Sequence, residues 1–274
     1  MDVIIMAGGE LEPDDPLYGA TGATNKALLP IAGKTMIQRV VDALAGSPEV
    51  EQFVIVGLSP EESPELNVPV AYAPSRGGLF DNVVAGFEKL REIKPDAQLT
   101  ILSTADIPLL TTEMVNWFIN TCAETEHEIY YTAVERSVML GRFPEAGRTF
   151  VPLRGGAYCG GDIFMARTDL VHTNQELFDK LMEARKSFWK QVQLIGLGFL
   201  IRFALRRMTV AEAARRASKS LNVRARVIVT PYAEMGMDVD KPHQLEIVRA
   251  ELEGKHHLCT TARNCIIETA DGRR

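Results

Sequence analysis

A chain of 274 residues, 46% apolar and 24% charged, is long enough for one large α/β domain or two small ones and has an ordinary globular make-up. Its net charge of −6 argues against nonspecific nucleic-acid binding. Cys122, Cys159, Cys259 and Cys265 are widely spaced with no C-x-x-C pair, and Asp2 follows Met1 directly, so a cytoplasmic protein with reduced thiols and no signal peptide is expected.

Val3, Ile4 and Ile5 form a β-branched run that predicts a buried strand ending at Ala7-Gly8-Gly9. A loop of about fifteen residues leads to Asn25-Lys26, then Leu28-Leu29-Pro30 and a second turn at Gly33. Met36, Ile37, Val40, Val41 and Leu44 have helical spacing, closed by Gly46 and Pro48. Phe53 to Gly57 predicts a second strand and Val68 to Tyr72 a third. Gly77-Gly78 opens a helix through Leu79, Val83, Val84, Phe87 and Leu90. Leu99 to Ser103 predicts a fourth strand, ending in Ala105-Asp106-Ile107-Pro108.

Thr111 then caps a helix to about Glu124, and Ile129 to Val134 and Arg148 to Leu153 read as strands. Cys159-Gly160-Gly161-Asp162 reads as a turn before the apolar Ile163-Phe164-Met165. Residues from about 175 to 220 read as helical, Val227 to Val229 as a strand, and Asp238-Val239-Asp240-Lys241-Pro242 as the approach to a last helix. Strands alternating with helices imply βαβ units and a mostly parallel sheet, whose ligands gather at the carboxyl ends of the strands. Gly8, Gly57, Gly77 and Asp106 all fall at such ends.

Two glycines after the first strand let backbone N–H groups approach a ligand, and a lysine behind them suits a polyphosphate. The pattern is not a P-loop: Gly33-Lys34-Thr35 resembles its tail, but Leu28 stands where the first glycine belongs. Nor is it G-x-G-x-x-G, because Glu10, Leu11 and Glu12 follow Gly8-Gly9. Plainer readings exist for each polar residue. Lys26 could be a solvated lysine, Asp106 a strand terminator or a cap for the helix near Thr111, and Asp238 and Asp240 caps for the last helix. Cys159 reads as a small packed residue, and His256, His257, Cys259 and Cys265 match no standard zinc spacing.

In this order and spacing, VIIMAGG…NKALLPIAGKTMI, LSTADIPLLT and MDVDKPHQLE resemble the MobA-like NTP transferases, the nucleotidyltransferases related to molybdenum-cofactor guanylyltransferase. The resemblance covers roughly residues 1–167 and 224–250. It implies a single Rossmann-like α/β domain of the nucleotide-diphospho-sugar transferase (GT-A) type, with a mostly parallel mixed sheet. It also implies attack of a small phosphorylated acceptor on the α-phosphate of an NTP, with Mg²⁺ and release of pyrophosphate.

Carried over residue by residue, Ala7, Gly8 and Gly9 would contact the nucleotide through the backbone, and Lys26 would neutralise phosphate. Gly77, Gly78 and Asn82 stand where such enzymes hold the base. Asp106 matches a metal-binding carboxylate, as does Asp238 with Asp240 as its rival. Gly160, Gly161 and Asp162 lie where relatives hold the acceptor. Hard oxygen ligands are what Mg²⁺ requires, and one or two carboxylates commonly suffice.

One departure from the family pattern stands out. Its first loop usually carries an arginine, as in G-x-G-x-R, whereas ELEPDDPLYGATGAT has none and adds Asp14 and Asp15. Lys26, Lys34 or Arg76 are the candidates to supply the missing charge. A nucleotide-sugar-dependent glycosyltransferase, which shares the fold, and a noncatalytic nucleotide-binding protein are the rival readings.

The expected organisation is one domain over 1–254, with a helical insertion at about 168–222, followed by a loosely ordered tail at 255–274. The insertion is apolar on most sides from Phe188 to Leu205 but is interrupted by Arg202, too short to span a membrane. With Arg206 and Arg207 it leaves peripheral membrane contact, a cover over the substrate, or packing on its own domain or on a second subunit of a homodimer open.

Overall fold

The computed structural model describes residues 1–173 and 208–254. Most of the expected insertion, including its apolar stretch, and the tail from 255 onward lie outside the described residues. The chain runs β1 (Asp2–Met6), α1 (Pro16–Thr21), a 3₁₀ turn (Lys26–Leu28), β2 (Pro30–Ile31), β3 (Lys34–Thr35) and α2 (Met36–Ala45). It continues through β4 (Gln52–Val56), β5 (Val70–Ala73), α3 (Leu79–Ile93), β6 (Leu99–Thr104), α4 (Thr112–Ala123), β7 (Ile129–Glu135) and α5 (Arg136–Arg142). Then follow β8 (Val151–Leu153), β9 (Gly156–Arg167), α6 (Leu170–Thr173), α7 (Val210–Leu221), β10 (Ala225–Thr230), a 3₁₀ turn (Ala233–Gly236) and α8 (Pro242–Leu252).

The main sheet has the order β10-β7-β9-β6-β1-β4-β5, with β8 paired to β9. The pairs β6/β1, β1/β4, β4/β5 and β10/β7 are parallel, whereas β9 is antiparallel to both neighbours. This is the mostly parallel mixed sheet that the resemblance implies. Among the described residues no helix is long and apolar enough to cross a membrane.

Central strands must bury both faces, and their sequences are accordingly apolar without alternation. Val3, Ile5, Phe53, Ile55 and Ile101 face α2 and α4, packing on Ile37, Val41, Val115 and Phe118. The intervening Ile4, Met6, Val54, Val56 and Leu102 face α3 and its Ala85, Phe87 and Leu90. Truncating one such residue to alanine costs roughly 2–5 kcal/mol. A third cluster joins Leu17 and Ile31 to Met139, Phe143, Val239, Leu245 and Val248. It clamps the first loop and α5 to the C-terminal helix, which carries the late aspartates back to the end of β6.

Three local features differ from the sequence reading. The first loop contains α1, opened by Asp15, whose carboxylate accepts the Leu17 N–H at 2.7 Å, with Pro16 in the first turn. Helix α5 follows β7 without a break. Cys159 to Asp162 form no turn, but lie inside the twelve-residue strand β9. The ladder between β7 and β9 is irregular there, because Tyr131 pairs with Phe164 but Ala133 with Gly160. A Cβ on Gly161 would come within 2.1 Å of Thr132 Oγ1, and one on Gly160 within 2.3 Å of the Tyr131 hydroxyl. Close packing at a bulge thus accounts for both glycines.

Candidate active site

The turn after β1 is shaped by its neighbours. Gly57 has φ +100°, and a Cβ on it would sit 2.3 Å from Gly8 Cα. The Ala7 N–H donates to Val56 O at 2.8 Å and the Ala7 carbonyl accepts from Asn25 Nδ2 at 3.1 Å. Ala7, expected to contact nucleotide, therefore spends its backbone groups on the scaffold. Among the described residues the N–H groups of Gly8 and Gly9 donate to no protein acceptor, and Gly9 is exposed. These two carry the anion-binding potential of the turn.

Asn25 also fixes Lys26. Its Oδ1 accepts the Ala27 N–H at 2.9 Å, capping the 3₁₀ turn, while the Lys26 N–H donates to Gly9 O at 2.9 Å. The Lys26 stem runs along Gly9, so that a Cβ there would lie 3.5 Å from it. Gly9 and Lys26 are thus one unit.

Asn82, in the first turn of α3, is 8% exposed and organises the opposite wall. Its Oδ1 accepts the Arg76 N–H at 2.7 Å and the Ser75 hydroxyl at 3.4 Å. A Cβ on Gly8 would meet Asn82 Nδ2 and Ser75 Oγ at 3.2 Å. The β5–α3 loop with Gly77 and Gly78 therefore abuts the first glycine turn.

Four carboxylates and two cations occupy the other side. Lys26 Nζ lies 2.5 Å from Asp106 Oδ2 and 2.5 Å from Asp240 Oδ1. Arg148 pairs with Asp238, reaches Asp162 at 3.4 Å and donates to Gly160 O at 3.1 Å. The Val239 N–H donates to Asp106 O at 3.0 Å, locking the Asp238–Asp240 segment against the end of β6. Gln244, 2% exposed, then ties the two cation sites together. It accepts the Asp240 N–H at 2.9 Å and donates to Ala146 O at 2.9 Å, two residues before Arg148.

None of these aspartates is a helix cap. Thr111 caps α4, and the residue preceding α8 is Lys241 with no side-chain cap. Neither Lys34 nor Arg76 joins the group. Lys34 pairs with Asp42 and Arg76 with Glu88, each at 2.5 Å and about half exposed. The cation that sequence reasoning missed is Arg148, which lies outside any helix or strand.

Burial and mutual repulsion set the charge states. Burial pushes the Asp162 carboxyl well above its usual range, helped by Asp238, against the pull of Arg148. Burial likewise raises Asp238 despite Arg148, whereas Lys26 holds Asp240 below the usual range against its own burial. Burial would lower Lys26, but Asp106 and Asp240 more than offset it and keep the ammonium charged. Burial raises the Cys159 thiol, consistent with a packed residue.

The donor set fits a divalent cation. Four carboxylates against two cations leave an excess of negative charge. Asp106 Oδ1 is buried without a hydrogen-bond partner among the described residues. An orphaned carboxylate oxygen in such a place is costly unless a proton or cation meets it. Among the described residues no three metal-ligating side chains converge into a closed cage. Mg²⁺ typically takes one or two carboxylates and completes its shell with phosphate and water. The open clefts of about 480 and 440 Å³ elsewhere contain none of these residues.

Comparison with known proteins gives the family. Residues 3–145 match the family model for the MobA-like NTP transferase domain. Molybdenum cofactor guanylyltransferases of two Rhodopseudomonas palustris strains, BisB5 and HaA2, are 29% identical over 115 residues and 30% over 114, 41% of this chain in each case. The chain spans about half the length (50%) of these curated relatives. A hypothetical transferase from Thermus thermophilus superimposes with a TM-score of 0.75 at 30% identity, over 89% of this chain and 98% of that one. A CMP:2-keto-3-deoxy-manno-octonic acid synthetase complexed with CTP shares the fold at 15% identity, with a TM-score of 0.57, over 93% of this chain and 98% of that one. Family model, relatives and fold converge, and the chain belongs to the MobA-like NTP transferase domain family.

Proposed function

We propose that the protein is a Mg²⁺-dependent nucleotidyltransferase that moves a nucleoside monophosphate from an NTP to a small phosphorylated acceptor and releases pyrophosphate. The observation that carries this reading is the junction at Lys26. One ammonium is held between Asp106 and Asp240 beside the unpaired N–H groups of Gly8 and Gly9.

In this reading the Gly8 and Gly9 N–H groups hold phosphate oxygens, and Lys26 leans over Gly9 to neutralise the charge that grows on the leaving pyrophosphate. Asp106, through its free Oδ1, and Asp238 hold the metal. When bound, the metal supplies Lewis-acid polarisation of the α-phosphoryl group. An acceptor phosphate oxygen forms the new bond to the α-phosphorus as the bond to the β-phosphoryl oxygen breaks. The protein contributes position and fixed charge, with no covalent intermediate.

The test is product analysis with α-labelled NTPs, Mg²⁺ and a panel of phosphorylated acceptors. Pyrophosphate together with a labelled nucleoside diphosphate-linked product is the expected outcome. If only added nucleotide sugars react, releasing free nucleoside diphosphate, the protein is a glycosyltransferase instead.

A further inference from the structure

Two demands fall on the single charge of Lys26. Its ammonium lies 2.5 Å from Asp106 Oδ2 and 2.5 Å from Asp240 Oδ1, and its side chain is 17% exposed. Both carboxylates sit on anchored backbone. The Val239 N–H donates to Asp106 O at 3.0 Å, and Gln244 Oε1 accepts the Asp240 N–H at 2.9 Å. The backbone of Lys26 is anchored too, by the Asn25 cap and by its own N–H on Gly9 O at 2.9 Å. Only the stem between them is free to turn, and a lysine stem is four flexible carbons long. The ammonium can therefore change partners while every backbone stays in place.

The neighbouring cations are committed elsewhere. Lys34 pairs with Asp42 and Arg76 with Glu88, while Arg148 is held by Asp238, Asp162 and the Gly160 carbonyl. A phosphate at the Gly8–Gly9 turn would draw on Lys26, whose stem lies 3.5 Å from where a Cβ on Gly9 would be. Its departure would strip Asp106 and Asp240 of their counter-ion in a partly buried place, which is costly unless another cation arrives. Asp106 would then have no partner for either oxygen, since the buried Oδ1 has none among the described residues.

We propose that Lys26 is an internal counter-ion that competes with the divalent cation for the negative charge of Asp106 and Asp240, and yields it only when metal and triphosphate arrive together. The proposal rests on the nucleotidyltransferase reading and adds an order to it. Charge balances in the exchange, because the ammonium passes from carboxylate to phosphate while the charge of the metal meets the carboxylates it leaves. Lys26 thus weakens the site for metal alone and couples metal binding to nucleotide binding, a coupling that acts equally in both directions.

The experiment titrates Mn²⁺ alone into the full chain, following free Mn²⁺ by electron paramagnetic resonance. Non-hydrolysable analogues of the four NTPs are then titrated into the Mn²⁺-saturated protein by calorimetry. Lys26→Gln should hold Mn²⁺ about tenfold or more tightly than wild type does, since a charge a few ångströms away shifts an ionic equilibrium by about one to three powers of ten. The same variant should bind the preferred analogue about ten- to a hundredfold more weakly. Opposite signs from one substitution are the signature of the exchange. A lysine that only supports the fold would weaken both ligands when replaced, and one that only meets phosphate would leave Mn²⁺ binding unaltered; either result overturns the proposal. Lys26→Met, which fills similar space without charge, repeats both titrations should the glutamine variant fold poorly. Tighter Mn²⁺ binding by the variants, with no analogue bound by wild type, would uphold the competition and overturn the nucleotidyltransferase reading.

Discussion

Lys26 Nζ and Asp106 Oδ2 stand 2.5 Å apart, although one residue leaves the first glycine loop and the other ends β6. That contact makes the lysine a structural member of the site as well as a charge for phosphate. Lys26→Ala should raise the KM for NTP and lower kcat together, since the lost charge acts most strongly on the departing pyrophosphate. Loss of a charge-assisted phosphate contact is worth about ten- to a hundredfold in kcat/KM. Lys34→Ala is the control, because Lys34 is tied to Asp42 at 2.5 Å and 51% exposed. Steady-state kinetics of the two variants separates them, and equal losses would misplace the triphosphate.

The aspartates should differ in a graded way. Asp106→Asn should abolish Mg²⁺-dependent turnover, because it replaces the carboxylate with the buried, unpartnered oxygen. Asp238→Asn should act more mildly, since an amide oxygen still ligates a cation, but it also loosens Arg148. Asp240→Asn should chiefly release Lys26. Titrating activity against Mg²⁺ distinguishes Asp238→Asn from Asp240→Asn, and direct titration of Mg²⁺ into Asp106→Asn should show a metal affinity lower by on the order of tenfold or more. If Asp240→Asn shifts the metal dependence more than Asp238→Asn does, the two exchange roles.

Gln244 offers a test that touches neither metal nor nucleotide directly. Gln244→Leu removes the acceptor for the part-buried Asp240 N–H and the donor for the buried Ala146 O, leaving both backbone groups without their partner. Each should cost about 1–3 kcal/mol, seen as a lower midpoint of chemical denaturation. Because the same side chain spaces Asp240 from the segment bearing Arg148, kcat should fall along with stability.

The pH dependence of stability follows from Asp238. Burial, only partly relieved by Arg148, pushes its carboxyl up to about 6. A carboxyl raised on folding favours the native state when protonated. Its contribution is full below the ordinary value near 3.8 and is lost as pH rises through about 6. The metal-free protein should therefore lose stability from this group between about pH 4 and pH 6, and the rise in Tm caused by Mg²⁺ should be larger at pH 7.5 than at pH 5. Thermal denaturation with and without Mg²⁺ measures both. A Mg²⁺ effect that is the same at both pH values would remove Asp238 from the metal site.

The sequence carried the parts of the site that lie in contiguous, patterned segments. Lys26 follows a strand, a glycine turn and a capping asparagine, and Asp106 follows an apolar strand, so local rules locate both. Asp240, named only as the rival of Asp238, turns out to share Lys26 with Asp106. Arg148 was read as the start of a strand running to Leu153, whereas the strand begins at Val151 and Arg148 sits in an irregular stretch between α5 and β8, where only the folded chain brings it to Asp238. Gly160-Gly161 was misread because a glycine pair usually marks a turn, whereas here Thr132 and Tyr131 press on the strand from its neighbour. Asp15-Pro16 did carry a readable helix start, a capping carboxylate with proline in the first turn, that the polar composition of the loop masked.

The most direct measurement is isothermal titration of the four NTPs into wild type, Lys26→Ala and Asp106→Asn, each with Mg²⁺ and with EDTA. On the nucleotidyltransferase reading, wild type binds at least one NTP with an affinity that drops on removal of Mg²⁺. Asp106→Asn should lose most of that metal dependence, and Lys26→Ala should weaken binding by about ten- to a hundredfold. Absence of NTP binding by wild type, or binding indifferent to Mg²⁺ and to both substitutions, would contradict it.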